Sequence, residues 1–246
     1  MRNRFTNTDT VHMINYTNTA IVNFSNDQER YKLGQKRQMQ SLSAIGYKGS
    51  YYSYSSFTDI GSPSHKEIPY AFKPYAIKKV RDMGYKRVIW MDAPVYAVKP
   101  IDHFLTDVHN RGALFFDNIG YSLGDYTSDK CLDLMGINRN DSFGIPMIMA
   151  CLMGFDFTNE KTCAIFDEYL QRADLDHYGG AWDNHDLSVS EDRRVKGHRH
   201  DQSVMSAILH NNGIKPLTPH KTWFAYYGNA GHLPHAATVC LLSQGF

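Results

Sequence analysis

The chain has 246 residues, of which 42% are hydrophobic and 21% charged, and its formal net charge is +1. That composition fits a globular protein with its own core and excludes a disordered acidic or basic chain. A near-neutral total gives no long-range field to gather nucleic acid or anionic lipid, so neither is an expected partner.

The first residues, Met1-Arg2-Asn3-Arg4-Phe5-Thr6, are polar and lack the apolar run of a secretion signal, and no stretch is apolar for long enough to span a bilayer. The expectation is a cytoplasmic protein without an integral membrane segment. The triplets at Asn15, Asn23 and Asn140 match a glycosylation sequon but carry no weight without such a signal. Ala20 to Ser25 reads as a buried strand with a polar end. Asp27 to Ile45 reads as a helix with Leu33, Met39, Leu42 and Ile45 facing inward and Gly46 closing it. Ser50 to Ser55 is a second strand, and a polar loop follows over 59–65. Pro74 opens a helix with Ile77, Val80 and Met83 at helical spacing, stopped by Gly84. Val88 to Met91 is four apolar residues in a row, the pattern of a strand buried on both faces. The β-α-β-α-β order predicts an α/β fold with a central, mostly parallel sheet flanked by helices.

The second half has another rhythm. Ala113 to Phe116 is a strand ending at Asp117-Asn118, and the stretch from Gly120 to Phe143 is a loop over the site. Met147 to Phe157 is a strand. Asn159 to Arg172 is a helix packing Ile165, Phe166, Tyr169 and Leu170. Residues 174–200 form a long polar loop, a feature that in a compact domain is usually functional or mobile. Asp201 to Asn211 is a helix, and an aromatic-rich tail follows from Trp223. Without an internal repeat or linker, residues 1–246 read as one domain, with a nucleotide-binding half over about 18–118 and an acceptor and catalytic half over about 119–246. Cys131, Cys151, Cys163 and Cys240 show no C-x-x-C spacing, so neither a zinc site nor a redox motif is implied, and Cys151 and Cys163 read as buried free thiols.

Chemistry concentrates at a few places. Asp92 follows the buried strand directly, at the edge where open α/β sheets bind ligands. It is either the holder of a cation against a diphosphate or the cap of the turn at Ala93-Pro94. Lys73 stands at a helix start, where a cation opposes the helix dipole; it is either a solvated surface charge or the partner of a local anion such as a phosphate. His198-Arg199-His200-Asp201-Gln202 gathers imidazoles, a guanidinium, a carboxylate and an amide at one helix start. Asp201 alone would suffice as an N-cap, which leaves the flanking His-Arg-His unexplained by capping. Gly179 to Asp186 sets Trp182 among acidic residues, either a sugar platform or an ordinary loop with one anchoring ring. Trp223 to Gly228 is another aromatic run, either core or pocket lining. There is no phosphate loop of the G-x-x-x-x-G-K-[ST] type, no G-x-G-x-x-G after the first strand, no G-x-S-x-G elbow and no H-E-x-x-H.

In order, Ile21-Val22-Asn23-Phe24, Phe72-Lys73-Pro74-Tyr75, Val88-Ile89-Trp90-Met91-Asp92-Ala93 and His200-Asp201-Gln202 resemble a nucleotide-diphosphosugar glycosyltransferase of the GT-A type, a Rossmann-related fold. The resemblance implies a sugar moved from a nucleotide-diphosphate donor to a hydroxyl acceptor, a glycan foremost. In that family the strand runs into an Asp-x-Asp motif that holds Mn²⁺ or Mg²⁺. Here Asp92 is kept and Pro94 stands where the second carboxylate would be. Three readings stay open: a metal on Asp92 with His198 or His200, a metal-free site in which Lys73 or Arg199 neutralises the diphosphate, or a non-catalytic binding module. By the same resemblance Asn23 and Phe24 meet the nucleoside, Lys73, Asp92 and Arg199 lie at the donor, and Asp201 and Gln202 approach the reacting sugar. A sugar nucleotidyltransferase is a further alternative, weakened because residues 23–27 hold no glycine.

Overall fold

A computed structural model describes residues 16–219, 223–227 and 239–244. The hexapeptide at the start, Asn15 and much of the tail, Gly228 included, lie outside the described residues. After a 3₁₀ turn at Tyr16–Asn18 the elements run β1 (Thr19–Phe24), α1 (Glu29–Ala44), β2 (Ser50–Tyr54), α2 (Phe57–Ile60), α3 (Phe72–Asp82), β3 (Arg87–Met91), β4 (Val95–Ala97), α4 (Asp102–Arg111) and β5 (Ala113–Ser122). Next come a 3₁₀ turn (Gly124–Tyr126), α5 (Asp129–Leu134), α6 (Arg139–Ser142), β6 (Pro146–Asp156), α7 (Glu160–Gln171), α8 (Leu175–Tyr178), α9 (Asp201–Asn211), β7 (Phe224–Tyr227) and β8 (Leu241–Gln244).

The central sheet has five strands in the order β2-β1-β3-β6-β5. β1 pairs in parallel with β2 and β3, but β6 runs antiparallel to both β3 and β5. The expected mostly parallel sheet is therefore a mixed one. β6 is buried along nearly its whole length, and a strand covered on both faces carries no signature of its direction. A small sheet, β4-β8-β7, lies beside it.

Successive residues of β1 and β3 point to opposite faces, and two cores result. Ala20, Val22, Val88 and Trp90 join one, with Ile77, Ile165, Phe166, Val204 and Ile208 from α3, α7 and α9. Ile21, Ile89 and Met91 join the other, with Leu42 of α1 and Phe104, Leu105 and Val108 of α4. Gly154 of β6 permits the second contact, because a Cβ there would stand 2.7 Å from Val108 Cγ2.

Some expected inward residues face solvent: Leu33 and Met39 on α1 and Met83 after α3 are half exposed. α1 buries Gln38 in their place, for a reason that belongs to the site. The predicted loop over 120–143 holds the end of β5, a 3₁₀ turn, α5 and α6. The polar stretch 174–200 contains α8 and then an irregular segment built around buried Asn184. That side chain donates to the Ser190 and Val195 carbonyls and accepts from the Val189 and Ser190 amides. Cys131 and Cys240 are the buried thiols, while Cys151 and Cys163 are half-buried.

Candidate active site

The carboxyl ends of β1 and β3, the early residues of β6 and the first turns of α3 and α9 converge at one edge of the sheet. β3 ends at Met91, the Asp92 N–H still donates to the Cys151 carbonyl of β6 at 2.8 Å, and the turn after it is fixed from beneath. Gln38 Nε2 reaches the carbonyls of Asp92 at 3.0 Å and Val95 at 2.8 Å, which explains a buried polar residue on α1. Asn23 is fully buried; it donates to the Met91 carbonyl and accepts from Gln35 Nε2 at 2.7 Å. The sequence reading placed Asn23 against a nucleoside, but its side chain is spent on holding the β1–β3 edge. Phe24, by contrast, reaches the surface of a cleft.

Lys73 is the hub. It is the second residue of α3, with Pro74 still in the first turn, where a missing N–H costs little. Only 4% of Lys73 is exposed, and its ammonium lies 3.4 Å from Asp92 Oδ1, 2.9 Å from Asp201 Oδ2 and 3.0 Å from the Ala150 carbonyl. The anion that a cation at a helix start calls for is thus a pair of carboxylates from distant parts of the chain. Burial pulls the Lys73 pKa down, but Asp201 and Asp92 outweigh it and the ammonium is held well above its ordinary range. Asp92 also accepts from Trp90 Nε1 at 2.7 Å, a contact available because residues two apart on a strand share a face.

Asp201 is 3% exposed and is the first residue of α9, not its cap. The N-cap position is His200, which makes no side-chain capping bond, and the Asp201 carboxylate goes to Lys73. Burial raises the Asp201 pKa to about 6, Lys73 opposes the rise, and Asp92 adds to it. Gln202 donates to the Ile148 carbonyl at 2.6 Å, tying α9 to β6.

Two clefts meet at this hub. The first, of about 450 Å³, has an aromatic wall of Phe24, Phe57 and Phe72, with Arg30, Tyr31 and His65 among its other residues. Phe24 stacks on Phe72 with ring centres 4.8 Å apart. The second, of about 290 Å³, is lined by Asn118, Trp182, Arg199, Asp201, Gln202 and Tyr226. Tyr70, Lys73 and Asp92 line both. Two residues without glycine's freedom hold positive φ beside the hub, Tyr70 at 61° and His200 at 48°, and their rings stack 5.3 Å apart. Backbone strain of this kind is kept where the surrounding structure enforces it, and it concentrates at functional sites.

The histidines serve the interior. His198 donates Nε2–H to the His177 carbonyl and accepts the Ser128 amide on Nδ1, so both ring nitrogens are spent. His200 donates Nδ1–H to the Tyr178 carbonyl at 2.7 Å. Burial pushes His198 down to about 3 and His200 down to about 4, so both rings are neutral near pH 7. Arg199 lies in the second cleft with its guanidinium 3.8 Å over Trp182 and 4.5 Å over Tyr126. A divalent ion fits these residues poorly. Asp92 shares one oxygen with an ammonium and an indole, the Pro94 side chain has no ligand atom, His198 has no nitrogen left, and His200 has Nδ1 committed to the Tyr178 carbonyl. Among the described residues no group of three or more His, Cys, Asp or Glu is disposed to hold a metal.

The structure thus brings Lys73, Asp92, Asp201 and Gln202 together, with Phe24 and Arg199 on the flanking clefts, and leaves Asn23, His198 and His200 as supports. Sequence reasoning missed the parts played by Tyr70, Gln38 and Trp90, whereas Tyr226 belongs to the aromatic run left open as core or pocket lining and lines the second cleft. Only Trp90, two residues before a strand-end carboxylate, left a signal that could have been used.

No protein-family model and no curated protein sequence matches the chain. Its fold is similar to a solved apo structure of the bifunctional glycosyltransferase WbbM, with a TM-score of 0.56 at 12% sequence identity, over 94% of this chain and 46% of that one. The chain therefore spans less than half the length of that protein. The likeness is one of fold, an α/β architecture that in this chain is a mixed five-stranded sheet flanked by helices. Among the described residues no helix is long and apolar enough to cross a membrane.

Proposed function

We propose that the protein is a glycosyltransferase that moves a sugar from a nucleotide-diphosphate donor to a hydroxyl acceptor, foremost a glycan. One observation carries the reading: two clefts on the ligand-binding edge of the sheet share Lys73, Asp92 and Tyr70. A two-substrate transfer needs that arrangement, because donor and acceptor must be held together at one reacting centre. The donor enters the first cleft, its nucleoside against Phe24, Phe57 and Phe72. The acceptor enters the second, beside Trp182 and Arg199.

Asp201 lines the acceptor cleft and serves as general base. It takes the proton of the acceptor hydroxyl as that oxygen bonds to the anomeric carbon and the bond to the diphosphate breaks. With a pKa of about 6 it is ionised at neutral pH and still basic enough to accept a proton. Gln202, tied to β6, lines the same cleft and offers an amide beside the reacting sugar. The fold likeness to a glycosyltransferase supports the class of reaction.

A non-catalytic binding module is the second reading, and the ion pair between Asp201 and Lys73 favours it, since a structural bridge needs no substrate. Incubation with uridine, guanosine, cytidine and adenosine diphosphosugars separates the two. The transferase releases nucleoside diphosphate from one of them, slowly to water and faster when a glycan acceptor is added. Binding of a nucleotide with no release under any condition would leave the module.

A further inference from the structure

We infer, on the basis of the transferase reading, that this site meets the donor diphosphate with cations built into the chain and needs no divalent metal: Lys73 stands against the carboxylates and Arg30 takes the diphosphate.

The argument starts from how the carboxylates are already used. A metal at a strand-end carboxylate gathers oxygens that have no other strong partner. Asp92 Oδ1 already has two, Lys73 Nζ at 3.4 Å and Trp90 Nε1 at 2.7 Å, which leaves Oδ2 as the single oxygen this residue could offer a cation. The other carboxylate at the hub, Asp201, is bound to the same ammonium at 2.9 Å. A divalent ion on Asp92 would share a confined, weakly screened space with a buried ammonium and be repelled by it. Position 94 is a proline and adds no oxygen. Lys73 therefore does for Asp92 and Asp201 what a metal would otherwise do: it keeps two like charges close together without mutual repulsion.

That arrangement leaves the hub itself with one net negative charge, so the diphosphate needs positive charge from elsewhere in the first cleft. Arg30 supplies it. It lines that cleft from the first turn of α1 and makes no ion pair with a carboxylate among the described residues. Its guanidinium is aimed by Gln28, which accepts from Nε at 3.0 Å, and by the Tyr31 hydroxyl, which accepts from Nη2 at 3.2 Å, so the edge that carries Nη1 is left for a ligand. A positioned guanidinium can take two phosphate oxygens side by side, a geometry that matches a diphosphate.

Titration calorimetry of the full chain with uridine, guanosine, cytidine and adenosine diphosphates tests this, in EDTA and again with excess Mn²⁺ or Mg²⁺. At least one nucleotide is expected to bind in EDTA, with a Kd that metal changes by no more than about two-fold. Arg30→Gln is expected to weaken that nucleotide about ten-fold and Arg30→Lys less, while Lys79→Gln, which removes a charge outside both clefts, leaves Kd unchanged. Binding that appears only with metal overturns the inference and keeps the transferase reading, and so does an unchanged Kd in Arg30→Gln. No binding by any nucleotide, with or without metal, overturns both.

Discussion

Carboxylates stand at both ends of strand β3, Asp156 at its start and Asp92 with Asp201 at its finish, and the two ends are used differently. At its start Asp156, with no exposed surface, faces Arg87 across the β3–β6 ladder. It is met by Arg87 Nε at 3.4 Å, His109 Nδ1 at 2.7 Å, and the amide and hydroxyl of Thr158 at 2.9 and 2.6 Å. None of those partners lines either cleft. At the strand's other end Asp92 and Asp201 share a single ammonium, lie on cleft walls and are flanked by two residues with strained backbone. The contrast teaches that burial and an ion pair do not mark a functional site. Access, thinner compensation and local strain do.

Substitutions can break that contrast. The largest effects are expected where a buried charge loses its partner. Lys73→Met leaves two carboxylates facing each other, and Asp156→Ala leaves Arg87 without its cross-strand partner. Each should cost about 3–5 kcal/mol in urea unfolding. They diverge in binding: folded Asp156→Ala keeps its nucleotide affinity, and Lys73→Met loses it. Equal behaviour in both assays would mean that the two ends of β3 do the same job.

Next in size is Asp201→Asn, which keeps the shape and removes the base. Turnover should fall by about 10²–10⁴-fold with an unfolding free energy far closer to wild type than that of Lys73→Met. If the variant melts instead, Asp201 belongs with Asp156. A smaller, graded effect comes from pH. The folded pKa of Asp201, about 6, lies above its ordinary 3.8 because burial favours the neutral acid. Its stabilising share is complete below the ordinary value and is lost as pH rises through about 6, whereas the transfer rate gains the base form over the same interval. Stability falling while kcat/KM climbs through pH 6 is the expected pair of curves, and a rate flat from pH 5 to 8 would remove Asp201 from proton transfer.

Much of this was legible in the chain. The apolar runs of β1 and β3 stood out because both faces of each strand are covered, and the carboxylate after Met91 marked the ligand edge. Lys73 was legible as a cation at a helix start, either solvated or paired with an anion. The identity of that anion was not, since only the long-range packing of α9 against β6 brings Asp201 to it. The histidine cluster misled for a related reason. An imidazole used inside a protein to bond carbonyls and amides looks in sequence like one set aside for a metal, and His198 is of the first kind. α1 misled through Gln38: a helix that must brace a turn buries an amide there and leaves Leu33 and Met39 outside.

Tyr70 is a wall with two sides. It lines both clefts, its ring is stacked on His200, and the positive φ beneath it leaves little slack to absorb a push from either side. Two substrates held on either side of one such wall cannot be indifferent to each other. For the proposed transfer, the expected kinetic signature is a ternary complex entered in a preferred order, with each substrate altering the apparent affinity of the other, and not a shuttle in which one leaves before the next arrives.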